Sequence, residues 1–232
     1  MPLHIGIVAC SAEGAALCYR TICLEGAQSF GPHGHPEISM HTHSLSEYMK
    51  FIDARNWRDV GALMLDSARK LASIGADFLI CPDNTIHQAL HLIERDSPRP
   101  WLHIAEIVAA HAAESGFKRV GILGTRWLVE SDVYPEKLSA RGLKYACPSS
   151  AEREELNRFI MEELVYGVFT PQAIAFHQRV IARLKDDGCD AVVLGCTEIP
   201  LIITGSNSPL PTLDSTRLLA RAALRNAIGI QR

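Results

Sequence analysis

Short apolar runs alternate along this chain with longer stretches whose apolar residues recur at helical spacing. Residues 3–9 form the first apolar run, which passes into Cys10-Ser11-Ala12-Glu13-Gly14 and reads as strand, loop and helix entry. Residues 37–43 alternate polar and apolar positions, as a strand with one wet face does. Residues 57–74 read as an amphipathic helix with Met64, Leu65, Ala68, Leu71 and Ala72 on its buried stripe, closed by Gly75. A strand to Ile80 follows, and a turn at Asp83 then opens a helix through His87, His91 and Glu94. Beyond Ser97-Pro98-Arg99-Pro100 the cycle repeats. Residues 101–104 lead into an Ala-rich helix ending near Ser115-Gly116, and residues 120–126 form a strand and polar loop. Helices are expected over 150–165 and 171–184, a buried strand over 191–194, a strand or loop over 210–214 and a closing helix over 215–227. Strands separated by helices in this order predict an α/β fold with parallel sheets.

Two phrases in the pattern match. Gly75-Ala76-Asp77-Phe78-Leu79-Ile80-Cys81-Pro82-Asp83-Asn84-Thr85 and Gly188-Cys189-Asp190-Ala191-Val192-Val193-Leu194-Gly195-Cys196-Thr197-Glu198 both begin Gly-x-Asp, run apolar and turn polar. Aligned from the glycine, Asp83 falls opposite Cys196. Residues 120–126 likewise resemble residues 5–11. The chain therefore reads as two similar α/β domains related by pseudo-duplication, with an active site expected in the cleft between them. The proline pair sets the expected boundary. Residues 1–98 form the first domain, 99–208 the second, and the C-terminal segment 209–232 is expected to pack back on the first.

Composition narrows the function. The 232 residues carry 23 Lys and Arg against 26 Asp and Glu, so nothing favours nucleic acid or an anionic membrane. No apolar run is long enough to span a bilayer, and no secretory leader is read at the start. Seven scattered cysteines without CxxC pairs read as reduced thiols of a cytoplasmic protein. His33 and His35, in a Gly/Pro-rich loop, form no recognised ligand motif and read as solvated. His41 and His43 share a face of their strand, either lining a cleft or solvated. No metal is expected.

The chemistry gathers at strand ends, where open α/β sheets bind ligands. A thiol in a strand-to-helix turn is activated where helix amides point at it. A carboxylate and a thiol on opposite faces of one carbon suit removal and return of a Cα proton. Asn84, Thr85, Thr197 and the turn amides offer donors for a carboxylate beside the reacting carbon. Ser11 reads equally as an anion-facing helix start or a plain cap, and Thr125 as a carboxylate ligand or a cap. A bland reading also stands, with Cys196 a small buried hydrophobe and Asp83 a cap.

Gly195-Cys196-Thr197-Glu198-Ile199-Pro200 together with Asp83-Asn84-Thr85-Ile86-His87 resembles the cofactor-independent aspartate/glutamate racemase family. The likeness extends to residues 11–20, 101–105 and 124–126. It implies two α/β domains, no pyridoxal phosphate or other cofactor, Cys196 as a catalytic base, and Ser11, Asn84, Thr85, Thr125 and Thr197 as ligands of substrate carboxylates. The implied partner is a small carboxylate or amino acid, and a homo-oligomer is admitted. One departure stands out: the family's first thiol, before Asn-Thr, is Asp83 here. A carboxylate is a weaker base than a thiolate by about four to five pKa units, roughly 6 kcal/mol of proton affinity. The leading expectation is an isomerase of aspartate or glutamate with Asp83 and Cys196 as unequal partners. A one-thiol decarboxylase of a malonate-like acid and a non-catalytic binding homologue are the alternatives.

Overall fold

A computed structural model describes residues 2–229. It contains two four-stranded sheets, each wholly parallel. The first is built from β1 (Ile5–Ala9), β2 (Ile38–Thr42), β3 (Phe78–Ile80) and β4 (Trp101–Leu102), in the order β2-β1-β3-β4. The second uses β5 (Arg119–Leu123), β6 (Lys144–Ala146), β7 (Ala191–Leu194) and β8 (Thr212–Asp214), in the order β6-β5-β7-β8. The two orders are the same. Every residue of β1, β3 and β7 is buried, which is why these strands read as unbroken apolar runs, whereas β2 and β6 are half-exposed edges. The two-sheet α/β class expected from the sequence is the fold observed.

The two Gly-x-Asp phrases have a structural task as well. Gly75 and Gly188 take positive φ of 98° and 85°, ending the preceding helix in a conformation that favours glycine. The Asp77 carboxylate then accepts from His4 N at 2.7 Å, while its own N–H donates to His4 O. Asp190 does the same at the matched place, accepting from Arg119 N at 3.1 Å and Lys118 N at 2.7 Å and donating to Arg119 O. Each aspartate thus pins the entry of the neighbouring central strand. The register follows from this: Gly6 pairs with Leu79 and Gly121 with Val192, each the fourth residue after its phrase's glycine. Counting on from there, Asp83 and Cys196 occupy equivalent positions just past equivalent strands.

The chain divides into two compact units. One comprises residues up to Ile107 together with those from Thr216 onward, the other Val108–Ser215. This differs from a boundary at Pro98. The prolines break the preceding helix, but they lead into an edge strand: Leu79 N donates to Pro100 O, and Trp101 and Leu102 pair with Leu79 and Ile80. The first sheet is therefore complete only after β4. The segment from 209 onward also splits. Leu213 and Asp214 pair with β7, whereas the Ser215–Ala227 helix places Leu219, Ala220, Ala223, Leu224 and Ala227 in the core of Ile5, Ile7, Cys18 and Ile22. The expected helix after Asp83 proves to be three short turns, Thr85–Ala89, Leu90–Ile93 and Glu94–Asp96, the first and last of 3-10 type.

Candidate active site: two strand-end turns

In the first unit β1 and β3 are parallel neighbours, so the segments that follow them open on one edge of the sheet. Ser11 follows β1 in extended conformation, and its Oγ accepts from Gly14 N at 3.3 Å, capping the Ala12–Phe30 helix. After β3 the chain turns through Pro82. Asp83 is half-buried, and its Oδ1 accepts from Ile86 N at 3.2 Å; Asn84 and Thr85 are buried beside it. The neighbouring thiol cannot take its place. Cys81 is wholly enclosed, and burial first, then the Asp83 charge, pushes it well above the ordinary thiol range. Tyr48 is buried close by and is likewise held neutral, by burial first and then by Cys10, Cys81 and Asp83.

His87 anchors this turn and is buried. Its Nδ1 lies 2.7 Å from Asp83 O, and its Nε2 accepts from Ile104 N at 3.3 Å. The ring thus joins the β3 turn to the start of the Ile104–Glu114 helix as a neutral Nδ1–H imidazole. Burial, then the neighbouring His103, depresses its pKa to about 3. Between about 3 and the unperturbed value of about 6.5, the unfolded chain binds a proton that the folded chain refuses. The stability His87 supports is fully present above the upper value and declines as pH falls toward the lower. At most about 1.4 kcal/mol is lost per pH unit for one such proton. Urea unfolding at pH 7 and pH 5 is expected to show a larger drop for wild type than for His87→Gln. Buried His177, also depressed by burial, adds the same slope to both proteins. Equal drops would remove His87 as the group responsible.

The second unit carries the equivalent turns. Thr125 follows β5 and caps the short Arg126–Val129 helix, its Oγ1 accepting from Leu128 N at 3.3 Å. Gly195 ends β7 where a side chain has no room, since a Cβ would lie 2.6 Å from Leu123 O and 2.7 Å from Leu128 Cδ2. Cys196 comes next and is 8 % exposed. Its Sγ donates to Glu198 Oε2 at 2.9 Å, and Thr197 Oγ1 donates to the same oxygen at 2.8 Å. Glu198 is 3 % exposed, so its carboxylate sits out of water with the thiol and hydroxyl as donors. The turn sits in the core cluster with Leu194 and Ile199, so Cys196 is buried further than a solvent-facing turn residue.

Each expected site residue thus lies in a strand-end segment of its unit: Ser11, Asp83, Asn84 and Thr85 in the first, Thr125, Cys196 and Thr197 in the second. Glu198 is the residue the sequence reading passed over. Its signal was present, an acidic side chain two positions from the thiol in an otherwise apolar, Pro-bearing turn. At the matched position of the first unit stands Thr85, so the two turns differ in both of their ionisable residues.

Residues 7–223 match the Asp/Glu/Hydantoin racemase family. The chain belongs to that family. It is similar to the broad-specificity amino-acid racemase RacX of Bacillus subtilis (strain 168), with 23% identity over 171 residues and 72% of each chain covered. A glutamate racemase from Hydrogenobaculum is 27% identical over 154 residues, 64% of this chain and 56% of that protein. Among crystal structures, one from Yersinia pestis described as a candidate Asp/Glu racemase superposes with a TM-score of 0.88 at 28% identity. That match covers 97% of this chain and 99% of the other. An aspartate racemase homologue from Pyrococcus horikoshii gives a TM-score of 0.83 at 26% identity, covering 98% and 100%. The resemblance read from the two turns is therefore borne out, as is the isomerase class it implied. Among the described residues no helix is long and apolar enough to cross a membrane.

Proposed function

We propose that the chain racemises an acidic amino acid, aspartate or glutamate, without a cofactor, using Cys196 and Asp83 on opposite faces of Cα. The observation that carries this reading is the shared strand register, which gives a thiol and a carboxylate equivalent places just past β7 and β3. Cys196 becomes a base when its proton passes from Sγ to Glu198 Oε2, the oxygen it already addresses. The thiolate takes the Cα proton, and the resulting carbanion receives a proton from the Asp83 carboxylic acid on the other face, which inverts the centre. The reverse direction starts with the Asp83 carboxylate and the Cys196 thiol. Ser11, Asn84, Thr85, Thr125 and Thr197, with the amides of their turns, are assigned to the substrate carboxylates.

The assay is chiral analysis of product from each enantiomer of aspartate and glutamate, with no cofactor added. Interconversion of at least one pair is the expected result; no interconversion of either pair rejects the proposal. A second reading draws on the enclosure of Cys81, which leaves Cys196 as the one thiol at the two matched turns. In that reading Cys196 protonates the enediolate left when a substituted malonate loses carbon dioxide. Carbon dioxide release without interconversion of any amino acid would select it.

A further inference from the structure

We infer that the first unit carries a binding site for one divalent transition-metal ion of the zinc class, formed by His41, His43 and Asp66. His41 lies near the end of β2 and His43 just beyond it; Asp66 comes from the Trp57–Ser73 helix. One ring nitrogen of each histidine and one carboxylate oxygen of Asp66 lie within 4.8 Å of one another. Ligand atoms around a tetrahedral ion at bond lengths of roughly 2.0–2.2 Å are about 3.3–3.6 Å apart, so small side-chain rotations close the set. Two imidazoles and a carboxylate suit zinc, cobalt or nickel and leave room for water.

The surroundings orient the ligands as a metal site requires. His41 Nδ1 is 2.9 Å from Oγ of Ser67, which is fully buried. His43 Nε2 is 2.8 Å from Asp66 Oδ2, while its Nδ1 lies 3.6 Å from Glu47 Oε2. The two rings stand 5.0 Å apart, edge to face. The fold does not require these histidines. Ser39 pairs with Gly6 and Ala146 with Gly121, so the places matching His41 and His43 in the duplicated half are Pro148 and Ser150. One group opposes the ion. Lys70 Nζ sits 2.6 Å from Asp66 Oδ2, but it is half-exposed and can swing into water.

The test is titration of metal-stripped, reduced protein with Co(II), followed by visible absorption. The expected result is one ion per chain with nitrogen- and oxygen-ligand bands. His41→Ala, His43→Ala and Asp66→Asn should each weaken binding by more than about 10-fold, beyond what loss of an outer-shell partner alone commonly costs at the low end. Lys70→Met should tighten binding, because it removes the competing ammonium. Circular dichroism identical to wild type checks that each variant is folded. A titration unchanged in His43→Ala, a thiolate-to-cobalt charge-transfer band that survives in that variant, or no saturable binding at all overturns the site.

Discussion

Replacing Cys196 with serine is expected to lower turnover of both enantiomers by about 10²–10⁴-fold, the range of a working acid–base group. Serine is the informative choice because Cys196 is packed with Leu194 and Ile199 and donates to a buried carboxylate. Its hydroxyl keeps that donor, so the Glu198 carboxylate does not lose a partner, whose loss would cost about 1–3 kcal/mol or more for a charged group. Alanine removes thiol and donor together and mixes lost chemistry with lost stability. The serine variant should unfold close to the wild-type urea midpoint while activity disappears, because an alcohol is far harder to ionise than a thiol. Both directions fail, since Cys196 is the base for one enantiomer and the acid for the other. Turnover within a few-fold of wild type, in a folded variant, would eliminate Cys196 from the reaction.

The matched turns were legible in the sequence because their positions are set locally. A helix-ending glycine, an aspartate that pins the next strand and a buried apolar run fix where each chain segment emerges, and these occur twice in the same order. The function of Glu198 was not legible, since it depends on burial of the whole turn and on two donors reaching one oxygen. His87 was ambiguous for a related reason. One of its bonds reaches Asp83, four residues away, but the other reaches Ile104, which only the folded chain brings near. The compact units divide after Ile107, beyond the proline pair, because a helix-breaking signal says nothing about which sheet receives the next strand. Likewise, Asp66 and Ser67 meet His41 and His43 only through packing of a helix on a sheet edge.

The asymmetry of Asp83 and Cys196 should be exposed most sharply by Asp83→Asn. Asparagine keeps the size of the side chain and an oxygen that can accept from Ile86 N, so the turn retains its cap. It cannot deliver a proton. In deuterated water, wild type should exchange the Cα proton of one enantiomer faster than that of its mirror image, because the thiolate is the stronger base by about four to five pKa units. In Asp83→Asn, exchange of the enantiomer facing Cys196 is expected to persist. Exchange of its mirror image and inversion of either should fall by about 10²–10⁴-fold, the contribution of one acid–base partner. Proton NMR on each pure enantiomer at equal saturating concentration, paired with chiral chromatography of the same samples, reads both quantities. Inversion that survives in Asp83→Asn at the wild-type rate would remove Asp83 as the second acid and base and point to another proton carrier at that face.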